Sequence, residues 1–266
     1  MQDLTLHCWG RDLHGALGNG EDTDVIEMPG DSTEVDLGPL RHALEVDAGG
    51  YHTCAVVDDG SAHCWGWNNQ GQLGDNSTVS SEVPVQVDLG GLGAVEVSTG
   101  YQHTCSILSD GAVWCWGKND FGQLGDGTFE DRMVPVEARI PEGHGAVAIA
   151  TGYEHSCAVL DYGSVFCWGS GSDGRLGDGT VSHRWVPVES VLPSNRTAVA
   201  VSAGAESTCA ILDNGSVSCW GGRTNGNLGD GGATSGAVTL APLHVLLPDG
   251  KGARSVSSHN RPSCAV

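Results

Sequence analysis

Ten cysteines are the residues of this 266-residue chain with the most chemistry to offer, and eight of them stand ten positions apart in pairs: Cys54 and Cys64, Cys105 and Cys115, Cys157 and Cys167, Cys209 and Cys219. Cys8 and Cys264 lie near the two ends. Counting from Cys264 to Val266 and on from Met1 to Cys8 again gives ten steps, so these two are predicted to form the fifth pair. Ten cysteines in five matched pairs point to disulfides and an oxidising compartment. Structural zinc sites use cysteines two to four positions apart, a spacing absent here. In the chain-entropy view each ten-residue bridge contributes roughly 2.5–3 kcal/mol, and a bridge joining the ends about 5 kcal/mol.

Three histidines, His52, His103 and His155, each lie two residues before the first cysteine of a pair. Imidazoles converging on an axis can hold zinc or copper, but two repeats carry Ser207 and Pro262 instead, so hydrogen bonding within the local turn is the expected role and no metal or other cofactor is assigned. Asp75, Asp126, Asp178 and Asp230 each precede or open a polar loop. They lack the alternating acidic ligands of calcium loops, and turn capping is expected of them. Glu154 and Glu206 could face each other as a carboxylate pair, yet solvated rim charges are the ordinary state of such residues. No Gly-x-Ser-x-Gly elbow, His-Glu-x-x-His helix or phosphate-cradling glycine loop occurs, so a non-enzyme is expected.

The elements that must position these residues repeat. Cys-Trp-Gly begins at Cys8, Cys64, Cys115, Cys167 and Cys219, and a Gly-x-Leu-Gly follows each copy with Leu17, Leu73, Leu124, Leu176 or Leu228. Between paired cysteines, apolar–polar alternation flanks three loop residues ending in glycine, as in Asp161-Tyr162-Gly163. That is a β-hairpin with a type I turn and a left-handed third residue, for which glycine is suited. In this register Cys157 opposes Cys167, Ala158 opposes Phe166 and Val159 opposes Val165. Directly opposed Cα atoms lie about 4.5–5.5 Å apart, within reach of a disulfide. A Val-Pro-Val segment and a further apolar strand (94–98, 146–150, 198–202) complete about four strands per unit, the content of one propeller blade. The expected fold is all-β: a closed five-bladed β-propeller, or else a piece of a seven-bladed ring, forming one domain over residues 1–266. The last blade is expected to be shared, with residues 263–266 pairing against residues 4–9.

Composition agrees and excludes much else. The 41 glycines suit tight turns joining short strands, and charged residues make up only 17%. A formal net charge of −21 with only 12 Lys and Arg argues against nucleic acid as a partner. No run of 18 apolar residues marks a membrane span. The N-terminus has neither the basic nor the apolar region of a signal peptide, so an exported form is expected to be seen here without its leader.

Residues 152–169, Gly-Tyr-Glu-His-Ser-Cys-Ala-Val-Leu-Asp-Tyr-Gly-Ser-Val-Phe-Cys-Trp-Gly, together with Asp126-Gly127-Thr128 after a Gly-x-Leu-Gly, resemble the regulator-of-chromosome-condensation (RCC1) repeat. The resemblance covers essentially the whole chain. It implies a propeller whose histidine-containing loops ring the central mouth of one face. Features shared by every blade read as scaffold, so specificity is expected where aligned positions differ. In the mouth loops these are Tyr51, His52, Tyr101, Gln102, His103, Tyr153, Glu154, His155, Glu206, Asn260 and Arg261; on a second surface after Cys-Trp-Gly they are Trp67, Lys118 and Phe121. The expectation is an exported, monomeric, non-catalytic binding module located outside the cell, at its surface or in a periplasm. It would take another protein at the mouth, with a glycan as the alternative and guanine-nucleotide exchange, for which some RCC1 relatives are known, as a third reading.

Overall fold

The computed structural model describes residues 5–22, 26–28, 32, 34–39, 41–223, 226–232, 237–248, 250–258 and 263–266. Four antiparallel four-stranded sheets make up most of it. The first sheet runs β3 (Ala43–Ala48), β4 (His52–Val57), β5 (Ala62–Gly66) and β6 (Ser81–Gln86), after a short N-terminal pair of β1 (Gly10–Arg11) with β2 (Ile26–Glu27). The second contains β7 (Ala94–Thr99), β8 (His103–Leu108), β9 (Val113–Gly117) and β10 (Arg132–Glu137). The third contains β11 (Ala146–Thr151), β12 (His155–Leu160), β13 (Val165–Gly169) and β14 (Arg184–Glu189). The fourth contains β15 (Ala198–Ala203), β16 (Ser207–Leu212), β17 (Val217–Arg223) and β18 (Ala237–His244). A C-terminal pair of β19 (Val256–Ser258) and β20 (Ser263–Ala265) follows. One turn of 3-10 helix at Ser172–Gly174 is the only helical element among the described residues.

The hairpins have the register read from the cysteine spacing. Cys157 opposes Cys167, Ala158 opposes Phe166 and Val159 opposes Val165. Gly163 closes the turn at φ +84°, and its N–H donates to the Leu160 carbonyl at 2.7 Å. A side chain in that left-handed conformation would be strained, which is why glycine ends this turn. All four ten-residue pairs are disulfide-bonded, each with a Cα–Cα distance of 4.1 Å. Pro84, Pro135 and Pro187 fall on the outermost strands, where a missing N–H leaves no ladder bond unmade.

The sheets are held to one another by side chains buried between them. Trp116 joins Leu73, Val56 and Val97 in the layer between the first and second sheets, and Trp168 joins Leu124, Ile107 and Ile149 between the second and third. Trp65, Trp116, Trp168 and Trp220 are all fully buried. Each hides roughly 200 Å² of largely apolar surface, worth on the order of 4–5 kcal/mol at about 25 cal/mol per Å². Their indole N–H groups donate to the carbonyls of Ala16, Gln72, Gln123 and Arg175, all in the loop of the preceding repeat, at 2.8–3.0 Å. A buried polar edge is thereby satisfied while the ring spans two sheets.

The two ends correct the sequence reading. Cys8 and Cys264 are not bonded to each other, and no ladder among the described residues joins 263–266 to 5–9. Cys264 instead sits opposite Ser257 in its own hairpin, while Cys8 packs with Leu6, Val35 and Leu37 against Ala43 and Trp65 of the first sheet. No turn joins the two segments, so nothing in the chain fixes the register that the three-residue turns impose on the other four pairs. Trp9, the fifth copy of the buried tryptophan, is accordingly 59% exposed.

Candidate functional site at the channel mouth

The innermost strands β3, β7, β11, β15 and β19 line a central cavity of about 500 Å³. An inner strand is a sheet edge, and its outward N–H groups need acceptors. Side chains of the preceding sheet supply them. Glu45 accepts from the Val97 N–H at 3.0 Å, Asp47 from the N–H of Thr99 at 2.6 Å and its hydroxyl at 3.0 Å, and Glu96 from the Ile149 N–H at 3.4 Å. Ser98 and Ser202 do the same for Thr151 and Ser258 at 3.0 and 2.8 Å. Burial, followed by the nearby charges of Glu45 and Asp47, pushes Glu96 up to about 7. Burial likewise raises Glu45. Sequence reasoning did not single out Glu45, Asp47 or Glu96. The signal was available, since these acids alternate along inner strands at positions where later repeats carry Ala148, Ala150 and Ala200.

Above these acids, three tyrosines predicted at the mouth come together. Tyr101 and Tyr153 stack with ring centroids 4.1 Å apart, and Tyr51 meets Tyr101 edge-on at 5.3 Å. Trp67 extends the row, 5.2 Å from Tyr51, and His14 stacks on Trp67 at 5.6 Å. Tyr51 sits one position later in its repeat than the other two, and Gly50 makes this possible: a Cβ at Gly50 would stand 2.7 Å from the Tyr101 ring. A hydrogen bond to the Tyr101 hydroxyl raises the pKa of Tyr51, with Arg11 acting weakly the other way. All three tyrosines line the same cavity as the carboxylates. The equivalent of Tyr101 and Tyr153 in the fourth sheet is Ala205, so the aromatic row occupies one side of the mouth only.

The histidines are placed elsewhere, which corrects their assignment to the binding mouth. His52, His103 and His155 are at most 1% exposed. Each ring Nε2 bonds a hydroxyl of the next sheet: Thr104 at 2.8 Å, Ser156 at 2.9 Å and Thr208 at 2.9 Å. Those hydroxyls donate in turn to the carbonyls of Gln72, Gln123 and Arg175, the same atoms that accept from the buried tryptophans. A hydroxyl that donates onward must accept from the ring, so Nε2 carries a proton, and with Nδ1 buried and without a partner the ring is held neutral. Burial holds His52 and His103 down to about 3 and drives His155 well below its ordinary value. The signal for this relay was the hydroxyl residue that precedes the first cysteine in every repeat: Thr53, Thr104, Ser156, Thr208 and Ser263.

The remaining candidates are distributed around this mouth. The carbonyls of Tyr51, Gln102, Glu154 and Glu206 accept from the N–H groups of Trp67, Lys118, Ser170 and Gly222 at 2.7–2.9 Å, pinning the mouth loops to the second predicted surface. Trp67 is half-buried within the aromatic row, Lys118 pairs with Asp120 at 3.2 Å, and Phe121 packs edge-on against His183. Asn260 and Arg261 lie outside the described residues. Asp75, Asp126 and Asp178 cap their own turns through the N–H groups of Ser77, Thr128 and Thr180, and Arg132 and Arg184 brace the latter two. No cluster of three metal-ligating side chains and no helix long and apolar enough to cross a membrane occurs among the described residues.

Comparison with known proteins places this architecture. The RCC1-like domain profile matches residues 1–259. The ultraviolet-B receptor UVR8 of Arabidopsis thaliana is 32% identical over 256 residues, 96% of this chain and 57% of that protein. Prp20 from Saccharomyces cerevisiae, described with binding properties to Gsp1p and histones, superposes with a TM-score of 0.83 at 22% identity over 98% of this chain and 63% of its own. Human WBSCR16 superposes with a TM-score of 0.84 at 21% identity, covering 95% of this chain and 65% of its own. The chain thus spans less than two thirds of the length of these relatives. With repeating four-stranded sheets, inter-sheet tryptophans and a profile match over nearly its whole length, this chain belongs to the RCC1-like family of β-propellers.

Proposed function

We propose that this chain is a non-catalytic protein-binding module that works outside the reducing cytoplasm, and that its partner docks at the aromatic side of the channel mouth. One observation carries this reading: the row Trp67, Tyr51, Tyr101 and Tyr153 is solvent-reaching, rigidified by ring-on-ring contact and confined to part of the ring. Tyr153 is 39% exposed. Preorganised tyrosine and tryptophan surfaces lose little conformational entropy on association and dominate binding energy at protein interfaces. That a family relative, Prp20, binds Gsp1p and histones supports protein recognition as the use of this scaffold. Four buried disulfides support an oxidising location.

The asymmetry of the row favours a protein over a glycan. A propeller lectin would present near-equivalent sites between blades, whereas the position of Tyr101 and Tyr153 becomes Gly50 in the first repeat and Ala205 in the fourth. An exchange activity on a small GTPase is the weakest reading, and absence of accelerated nucleotide release would end it. The ring is read as five repeats of a propeller with a monomeric working form. A photo-crosslinking amino acid at Gln102, beside the row, is expected to capture a partner protein. One at Val181, exposed on an outer loop, is expected not to. Capture from Val181 alone would overturn the proposal.

A further inference from the structure

The cavity beneath the tyrosines shows what chemistry the partner must bring. Its wall carries three carboxylates within two neighbouring inner strands, and each is committed to the adjacent strand through one oxygen only. Among the described residues the second oxygen of Glu45, Asp47 and Glu96 has no hydrogen-bond partner. The independent observation is the aromatic row at the entrance of the same cavity, whose ring faces attract cations. Stacked tyrosines leading to carboxylate oxygens that no other protein group engages complement a planar cation that can lie on a ring and then pair with a carboxylate. Guanidinium does both, whereas an ammonium group is a strongly hydrated point charge. Among the described residues the cations near this entrance are Arg11, close to Tyr51, Lys118, paired with Asp120, and Arg175, which donates to the Ala205 carbonyl.

We propose that the channel mouth is an arginine-accepting site, in which a guanidinium of the partner protein stacks on an outer face of the Tyr101–Tyr153 pair and pairs with carboxylates among Glu45, Asp47 and Glu96. This rests on the reading of the mouth as a protein-docking surface and names the residue type it selects. Burial raises Glu96 and the charges of Glu45 and Asp47 add to it, so a guanidinium between these groups contributes charge neutralisation to binding.

Calorimetric titration with hexa-arginine, hexa-lysine and hexa-citrulline peptides tests it on the full chain. Hexa-arginine is expected to bind and its neutral isostere hexa-citrulline not to, with hexa-lysine at least fivefold weaker. The E45Q/D47N/E96Q variant, which keeps acceptors for the strand N–H groups, should lose at least tenfold in affinity. E82Q/E137Q/E142Q, which neutralises three carboxylates outside the cavity, should lose less than threefold. Should the cavity variant fold poorly, Y101L/Y153L is expected to lose binding while Y101F/Y153F retains it. Equal loss in both charge variants, or equal affinity for hexa-lysine, would show diffuse attraction to an acidic surface and overturn the inference. No hexa-arginine binding alongside successful crosslinking from Gln102 would overturn the arginine site while leaving protein docking at the mouth intact.

Discussion

His103 Nε2 lies 2.9 Å from Ser156 Oγ, and the bond crosses from the second sheet to the third. Because Ser156 donates onward to the Gln123 carbonyl at 2.8 Å, His103 Nε2 is the donor in this contact, and adding a proton at Nδ1, which has no hydrogen-bond partner, would place an unpaired N–H and a charge in a fully buried site. The folded value of about 3 is depressed below the ordinary 6.5, so the unfolded chain binds the extra proton first. Stability from this contact is present above pH 6.5 and is lost as pH falls towards 3. The same holds for His52 and His155, so up to three protons drive acid unfolding together. In H103Q, whose amide can still donate to Ser156, the decline of melting temperature between pH 6 and pH 4 should be about one third shallower. An unchanged slope would remove the histidines as its cause.

The four hairpin bridges and the two unbonded thiols should separate cleanly by chemistry. Without reduction, alkylation followed by mass mapping is expected to modify Cys264 and Cys8 alone among the ten. Cys264 is exposed and should react first, whereas burial raises the Cys8 thiol to about 11 and slows it. Removing a hairpin bridge, as in C105A/C115A, should cost about 2.7 kcal/mol for a loop of about 11 residues. C264S should leave the melting temperature within a degree, the reverse of what a seam bridge would give. A Cys8–Cys264 peptide in the unreduced digest would overturn this.

How far the sequence could be read depended on whether a signal was local. The Cys157–Cys167 register was legible because a three-residue turn ending in Gly163 leaves one way to pair the flanking strands. Pro135 likewise announced an edge strand, since it has no N–H to give to an interior ladder. Contacts between sheets were not legible in this way. His52 reaches Thr104, 52 positions on, so its partner shows only when the repeats are aligned and the hydroxyl before each first cysteine is seen to recur. The carboxylates too show only between repeats: Glu45 looks like the polar half of an alternating strand, and the next inner strand, whose Val97 N–H it accepts from, gives it a task. The tyrosines were found because they vary between repeats, although the contact of Tyr51 with Tyr101 across a one-residue offset depends on the space left at Gly50.

Close approach between sheets predicts a steep penalty at one glycine and none at another. A Cβ on Gly152 would stand 2.3 Å from the Gly204 carbonyl oxygen and 2.3 Å from His155 Cε1, in the packed joint between the third and fourth sheets. Neither backbone nor buried ring can yield without separating the sheets. G152A is expected to destabilise by about 1–3 kcal/mol, the ordinary range for forced overpacking. At Gly93 the nearest atom is 3.6 Å away, an ordinary contact, and the backbone is not left-handed, so G93A should change stability by less than about 0.5 kcal/mol. Chemical denaturation of the two variants side by side decides it, and equal effects would show that the joint is not tightly closed.

Glu96 gives a pH dependence of opposite sign to the histidines, which allows the two to be told apart. Its folded value of about 7 stands above the ordinary carboxylate value, because burial and the charges of Glu45 and Asp47 disfavour ionisation. The folded chain therefore holds this proton more tightly than the unfolded chain, and the contribution is fully present below pH 4.5 and lost as pH rises through 7. A neutral amide at this position removes the loss while still accepting from the Ile149 N–H. E96Q should therefore melt at a higher temperature than the parent at pH 8, and the gap should close by pH 4.5. In the H103Q/E96Q double variant the two pH effects should add, since the two side chains share no partner: His103 bonds Ser156 and Glu96 accepts from the Ile149 N–H. A constant gap between E96Q and the parent across this range would mean that Glu96 is ionised throughout and that the cavity is wetter than its burial implies.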